Sequence, residues 1–267
     1  MLDHLQHALM TAVDTIVAAI PQRAPRSLAL RQCKIIAHRG AHDNTTVMEN
    51  TLRSFELARA HGVWGVECDV RWTADLVPVI SHDANTSRVF SISLDIASVS
   101  FEQLRDLVPH IPSLMEVVEQ FGGNLHLMLE IKGELQPHPT RQKNILREQL
   151  ATLDAGRDYH FLALDPDLFE RVDFVAPQHC FPVSELNAGK LSKATLASSY
   201  GGLTGHYLLL GDRTKARHEA AGQRIGTGFI GSRNALFREL NRGVEWIFSN
   251  DALKIQTIRD DLLSSRG

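Results

Sequence analysis

Glu67 and Asp69 stand two residues apart in WGVECDV (64–70), and Glu130 and Lys132 stand two apart in LHLMLEIKG (125–133). Both stretches read as β-strands, in which side chains alternate between faces, so each charged pair points to one side. Val66, Cys68 and Val70 face the other way. His38 and Arg39 follow the apolar run KIIA, and His82-Asp83 follows VPVIS. Acids, cations and histidines are what acid/base, metal and phosphate chemistry use, and here they collect at strand ends. Each has a plainer alternative. An acid pair at a strand end can be solvated loop charge, a lone histidine can be structural, and Arg39 and Lys132 can pair with Glu67 or Glu130 in a structural ion network. The convergence of three acids, two cations and two histidines favours a functional site, because such groups are costly near a core.

The elements that would position them follow from periodicity. Strands are expected at 34–38, 64–70, 77–81, 125–131, 160–165, 180–184, 203–208, 224–229 and 245–249. Amphipathic helical stretches lie between most of them: TLRSFELARAHG, SLMEVVEQFG, TRQKNILREQLATL, LSKATLASSYG, RTKARHEAAG and NALFRELNRG, with ALKIQTIRDDLL after the last strand. Glycine closes several of these, as a C-terminal cap should. The link RWTADL between 64–70 and 77–81 is too short for a helical crossover, so 77–81 reads as the return arm of a hairpin. Eight parallel strands remain. The expectation is a (β/α)8 TIM barrel with a small β-hairpin excursion after the second strand, its active site at the carboxyl ends of the strands. An open doubly wound sheet is the alternative, weakened because no glycine-rich nucleotide fingerprint follows the first strand.

At the N-terminus, Leu2, Leu5, Leu9, Val13, Ile16 and Ile20 recur at helical spacing and Pro21 ends the pattern. Asp3 and Asp14 interrupt any apolar core and no basic segment precedes it, so an amphipathic helix fits better than an export signal. Residues 1–33 are expected as an N-terminal helical extension, capping the barrel or serving a dimer or membrane contact, and 34–267 as the barrel domain. The chain has 267 residues, a formal charge of -3 and scattered basic residues, which gives no general attraction to nucleic acid or acidic lipid. No stretch is long and apolar enough to span a bilayer. Cys33, Cys68 and Cys180 are odd in number and lack metal-type spacing, pointing to reduced thiols and the cytoplasm.

Together, HRG (38–40), ENT (49–51), ECD (67–69), TADLVPVISHD (73–83) and LEIK (129–132) resemble, in order and spacing, the motif series of the glycerophosphodiester phosphodiesterase family. The likeness is tight over the first hundred residues from 34 and looser after, where GVEWIFSND is similar to the family's closing strand. The resemblance implies a phospholipase-C-like barrel that hydrolyses glycerophosphodiesters to glycerol 3-phosphate and an alcohol with one divalent cation. Carried over residue by residue, it implies Glu67, Asp69 and Glu130 as metal carboxylates, His38 and His82 as the acid/base pair, and Arg39 and Lys132 as phosphate-binding cations. Glu49 matches a position beside the site. An all-carboxylate set suits a hard ion, Mg²⁺ or Ca²⁺, whereas Zn²⁺ favours histidine or thiolate.

The sequence also departs from the family pattern. Gly226 stands where a tryptophan is common, ALD (163–165) replaces Ser-Phe, Leu76 replaces a glycine in the turn, and SND (249–251) replaces Thr-Asp. An emptier pocket and a different alcohol group are the expectation from these changes. The rivals are a lysophospholipase-D-like or sphingomyelinase-D-like lipid phosphodiesterase, which needs an apolar entrance that the N-terminal helix could supply, and a non-catalytic barrel that binds a phosphorylated ligand. A metal-free phosphatidylinositol-cleaving enzyme is disfavoured by the three carboxylates.

Overall fold

A computed structural model describes residues 14–133 and 138–266. Its strands are β1 (Lys34–His38), β2 (Gly65–Trp72), β3 (Pro78–Ile80), β4 (His126–Ile131), β5 (Tyr159–Ala163), β6 (Cys180–Ser184), β7 (Gly202–His206), β8 (Arg224–Gly228) and β9 (Trp246–Ser249). Their order is β1-β9-β8-β7-β6-β5-β4-β2-β3, and β1 also pairs with β2, which closes the sheet. Eight strands run parallel around this ring, and β3 is antiparallel to β2. The structure is thus the (β/α)8 barrel with a hairpin arm that the strand spacing predicts.

Helices return the chain between most strands. Leu52–Ala60 joins β1 to β2, and its first turn is closed by a capping box in which Thr51 accepts from the Ser54 amide and Ser54 accepts from the Thr51 amide. Leu114–Phe121 precedes β4 with the same device built from Ser113 and Glu116. The β5 to β6 connection is different: two 3-10 segments, Pro166–Val172 and Pro177–His179, replace an α-helix. Each opens on a proline, whose fixed φ suits the first helical position.

Strand parity divides the interior from the helix layer. Ile35, Ala37, Val66, Cys68, Val70, Leu127, Leu129 and Phe161 point outward into the main core beneath the helices. Ile36, Met128, Leu162, Phe181, Trp246 and Phe248 fill the barrel itself. Below that plug, His126 donates from Nδ1 to the Arg157 carbonyl (2.9 Å), which leaves its Nε2 to accept from His160 Nδ1 (2.8 Å). Trp64 stacks on His126 at 4.1 Å and Trp246 meets His160 edge-on at 4.9 Å. These rings seal the amino-terminal end of the barrel.

Cys33, Cys68 and Cys180 are all buried free thiols. The expected N-terminal helix is seen at residues 14–19, ahead of Pro21; its earlier positions lie outside the described residues. Asn234 ties it to the barrel by donating to the Ala18 carbonyl at 2.7 Å. Among the described residues, no helix is long and apolar enough to cross a membrane.

Candidate active site

Parallel register sets the site. Asp69 on β2 lies opposite Glu130 on β4, and His38 on β1 lies opposite Glu67 on β2. All four face the carboxyl end of the barrel, where one further step of the same parity adds Lys132 after β4. Glu67, Asp69 and Glu130 are buried and bring one carboxylate oxygen each to within 4.8 Å of the others. The Lys132 ammonium lies 2.6 Å from Asp69 Oδ1 and also contacts Glu130.

The loop after β1 wraps this cluster. Arg39 adopts a left-handed backbone (φ 58°), which turns its amide onto Glu67 Oε2 at 3.0 Å. Its guanidinium donates to Glu49 Oε1 at 3.0 Å and passes Asp69 Oδ2 at 3.7 Å. Gly40 is also left-handed (φ 80°), and a Cβ there would fall 2.3 Å from Ser54 Oγ, so only glycine lets this turn lie on the helix that follows. Glu49 is buried and accepts from Arg39, Asn44 (2.6 Å) and Arg88 (2.6 Å), so it holds Arg39 in place without reaching the cavity. These donors outweigh its burial and hold its carboxyl down at about 2. Asn50, also left-handed (φ 55°), donates to Asp69 Oδ2 at 2.7 Å.

Each histidine has an orienting partner. His82 Nδ1 donates to Asp83 Oδ1 at 2.7 Å, which leaves Nε2 as the nitrogen that can take up or give a proton, and Asp83 is itself gripped by Arg88 at 2.5 Å. His38 Nδ1 pairs with Asn250 Oδ1 at 2.6 Å, and its Nε2 stands 3.7 Å from Glu67 Oε2. Burial, with Arg39 beside it, pushes His38 down to about 4. Burial also lowers His82, against the pull of Asp69 and Asp83.

The carboxylates differ in their balance. Burial opposes ionisation of Asp69, but Lys132 and Arg39 outweigh it and hold the group well below the usual range. Glu67 goes the other way: burial and then the neighbouring charges of Asp69 and Glu130 push it well above that range. Its Oε1 is buried without a hydrogen-bond partner. Three carboxylates therefore face two fixed cations, and an oxygen-lined corner is left lacking positive charge. These residues fit a hard divalent cation.

All seven predicted catalytic, metal and phosphate residues line one cavity of about 420 Å³ at the carboxyl end of the barrel. Glu49 is the one candidate set behind its wall. Sequence reading missed Asn44, Asn50, Arg88 and Asn250. Asn250 was accessible to the parity rule, being two residues beyond the inward-facing Phe248; Arg88 comes from a short helix after the hairpin, for which spacing offers no guide. The expectation that Gly226 empties the pocket is corrected. A Cβ at Gly226 would meet Phe248 and Thr204 at 3.0 Å, so the Phe248 ring already occupies that space. Room opens higher, at Gly228, which lines the cavity.

The profile of the glycerophosphoryl diester phosphodiesterase family matches residues 38–202. The chain belongs to that family. It is 36% identical over 128 residues to glycerophosphodiester phosphodiesterase 1 of Mus musculus, covering 42% of this chain and 38% of the mouse protein. The human protein of that name is 35% identical over 113 residues, 37% of this chain and 33% of its own length. The chain thus spans less than two fifths of these curated relatives. Among solved structures, a putative glycerophosphoryl diester phosphodiesterase from Silicibacter pomeroyi superposes with a TM-score of 0.74 at 20% identity, over 92% of this chain and 96% of that one. A phosphodiesterase from Oleispira antarctica in complex with the product sn-glycerol-3-phosphate gives 0.72 at 23% identity, over 85% and 96%. At these identities the structures establish the shared barrel fold.

Proposed function

We propose that the protein is a divalent-cation-dependent glycerophosphodiester phosphodiesterase, releasing glycerol 3-phosphate and an alcohol. The observation that carries this reading is the convergence of Glu67, Asp69, Glu130, Arg39, Lys132, His38 and His82 on one cavity at the active end of a barrel. A binding barrel without activity would have no need of the complete set, least of all two histidines each oriented through Nδ1.

Glu67, Asp69 and Glu130 would hold Mg²⁺ or Ca²⁺. When bound, such an ion supplies Lewis acidity to the phosphoryl oxygens. Arg39 and Lys132 add fixed positive charge where negative charge builds on the phosphoryl group. Arg39 keeps its direction through Glu49, which is in turn fixed by Arg88 and Asn44.

In-line displacement at phosphorus needs one group to take a proton from the nucleophile and another, on the opposite side, to give one to the departing oxygen. We assign His82 as the acid and His38 as the base. The Asp83 carboxylate at His82 Nδ1 stabilises an imidazolium, whereas the neutral Asn250 amide at His38 supplies no such charge. The test is coupled turnover of glycerophosphocholine, glycerophosphoethanolamine, glycerophosphoinositol and lysophosphatidylcholine with Mg²⁺, Ca²⁺ or chelator. Cleavage that chelation abolishes and either ion restores supports the reading. Full activity after exhaustive chelation, or none on any ester, overturns it.

A further inference from the structure

The cavity is divided by charge. The carboxylates, cations and histidines of the proposed reaction all come from β1, β2, the hairpin arm and β4. The opposite rim is built from the ends of β5, β6 and β8, and it carries Leu164, Leu186 and Phe229, which are 42%, 63% and 45% exposed. Leu209 and Val183 continue this apolar surface, and Phe248 forms its floor. Polar groups share that side: Thr204 donates to the Pro182 carbonyl, the Leu208 amide donates to His206 Nδ1, His206 Nε2 faces Asp14 of the N-terminal helix at 3.7 Å, Glu185 also lines the cavity, and Ser184 Oγ is buried without a hydrogen-bond partner.

Phe229 is the most telling of these residues. It sits in the left-handed region (φ 65°), which disfavours a bulky side chain, and it leaves nearly half of that side chain in solvent. Neither choice helps the fold, so the ring's position points to function. It lies flat against His206 at 5.4 Å and meets His38 edge-on at 5.6 Å, spanning the mouth between the apolar rim and the reacting corner. Three large apolar side chains exposed around one cavity mouth form the kind of surface that an apolar ligand covers.

We propose that this rim receives an apolar chain on the substrate, so that the preferred phosphodiester is one in which one of the two ester alcohols carries several methylene groups. The inference rests on the phosphodiesterase reading above and narrows its substrate class. The reaction is unchanged: an oxygen nucleophile, water or the neighbouring glycerol hydroxyl, bonds to phosphorus, the bond from phosphorus to the departing oxygen breaks, that oxygen leaves with a proton, and one water is consumed in the net hydrolysis. An apolar entrance is thereby placed on the β5, β6 and β8 loops; most of the N-terminal helix, which was expected to supply one, lies outside the described residues.

The experiment compares kcat/KM across glycerophospho-n-alkanols from methyl to octyl, all as monomers, with glycerophosphocholine as the short polar reference and lysophosphatidylcholine as the arm that places the chain on glycerol. The octyl-to-methyl ratio, or the ratio of lysophosphatidylcholine to glycerophosphocholine, should exceed about tenfold, since each buried methylene contributes favourably to binding. The arm that shows the gain identifies which alcohol carries the chain. In Leu164→Ser/Leu186→Ser the ratio should fall below about threefold. Both positions are exposed, so the fold should tolerate the change. In Phe229→Gly the ratio should fall while the unfolding temperature holds or rises, because glycine relieves the backbone. Cleavage of glycerophosphocholine with flat ratios in both arms overturns the inference and leaves the phosphodiesterase reading standing. A ratio unchanged in both rim variants overturns it as well. Rim-dependent sedimentation with phosphatidylcholine vesicles, together with flat ratios, assigns the rim to a membrane surface and overturns it too. Failure to cleave any ester overturns the reading beneath it.

Discussion

Glu67 is stabilised by little in the folded chain: it is buried, pushed toward neutrality by Asp69 and Glu130, and one of its oxygens has no partner. A residue kept under those terms is expected to serve a ligand. Glu67→Gln should therefore cost at least about 10–100-fold in kcat/KM, the loss that changes behind a metal ligand already bring, while the unfolding temperature in chelator does not fall. Mg²⁺ or Ca²⁺ should raise the unfolding temperature of the wild type and leave that of the variant unmoved, because only a protein that binds the ion gains stability from it. Equal stabilisation of both would remove Glu67 from the ion site. The histidines offer a second test at this scale. An alkoxide needs a proton to depart, whereas a nitrophenolate leaves without one. His82→Ala should damage turnover of glycerophosphocholine far more than that of a nitrophenyl phosphodiester, and His38→Ala should damage both alike. Equal losses on both substrates in both variants would return the pair to binding roles.

The hairpin arm shows how an element can carry a site under strain. Leu76 occupies its turn with φ 64°, the left-handed conformation that glycine adopts freely, yet its side chain is only 5% exposed and packs in the main core. Two opposite effects meet there. Leu76→Gly would release backbone strain of about 1–2 kcal/mol but forfeit a buried leucine, worth about 2–5 kcal/mol. Burial wins, so the variant should be less stable by about 1–3 kcal/mol in urea denaturation. A stabilised variant would show that the strain dominates. The same residue marks how far the sequence could be read. Short β-branched and apolar runs located all nine strands to within two residues at either end, and the shortness of RWTADL separated the hairpin from the barrel. Parity then placed Glu67, Asp69, Glu130 and Lys132 on one wall, since alternation is a local property. The left-handed backbones of Arg39, Asn44 and Asn50 were not legible, because side-chain types at those positions permit ordinary conformations equally well and only the packing of the loop on Ser54 and Glu67 forces the turn. The apolar rim was missed for a related reason: Leu164, Leu186 and Phe229 lie far apart in sequence and meet only after the ring closes.

At the scale of the molecule, the amino-terminal end of the barrel carries a response to acid of its own. The amino-terminal plug holds two neutral histidines in contact, and burial pushes His126 down to about 4 and His160 to about 2. A histidine whose folded value lies below its unfolded value of about 6.5 adds stability above that pH and loses it as the solution is acidified toward the folded value. Each group should then contribute a slope of about 1.4 kcal/mol per pH unit below pH ~6.5. The ring resonances of both should stay unshifted down to pH ~5 in an NMR titration. Movement of either near pH ~6.5 would show that the plug admits solvent and carries no such slope.

Because β1 hydrogen-bonds to both β2 and β9, the strand order has no natural starting point. The flanking segments meet as well, with Arg259 donating to the Leu30 carbonyl at 2.8 Å and Arg266 to the Pro25 carbonyl at 2.5 Å. Where the polypeptide is cut is thus a separate matter from how the ring is held. A circular permutant that joins residue 266 to residue 25 through a short glycine-serine linker and opens between Ala221 and Gly222, both exposed and on the face opposite the carboxylates, should assemble the same ring and bind the same cation. New termini there would also leave the whole active mouth free, so that either end of the permuted chain could be tethered to a support without obstructing substrate entry.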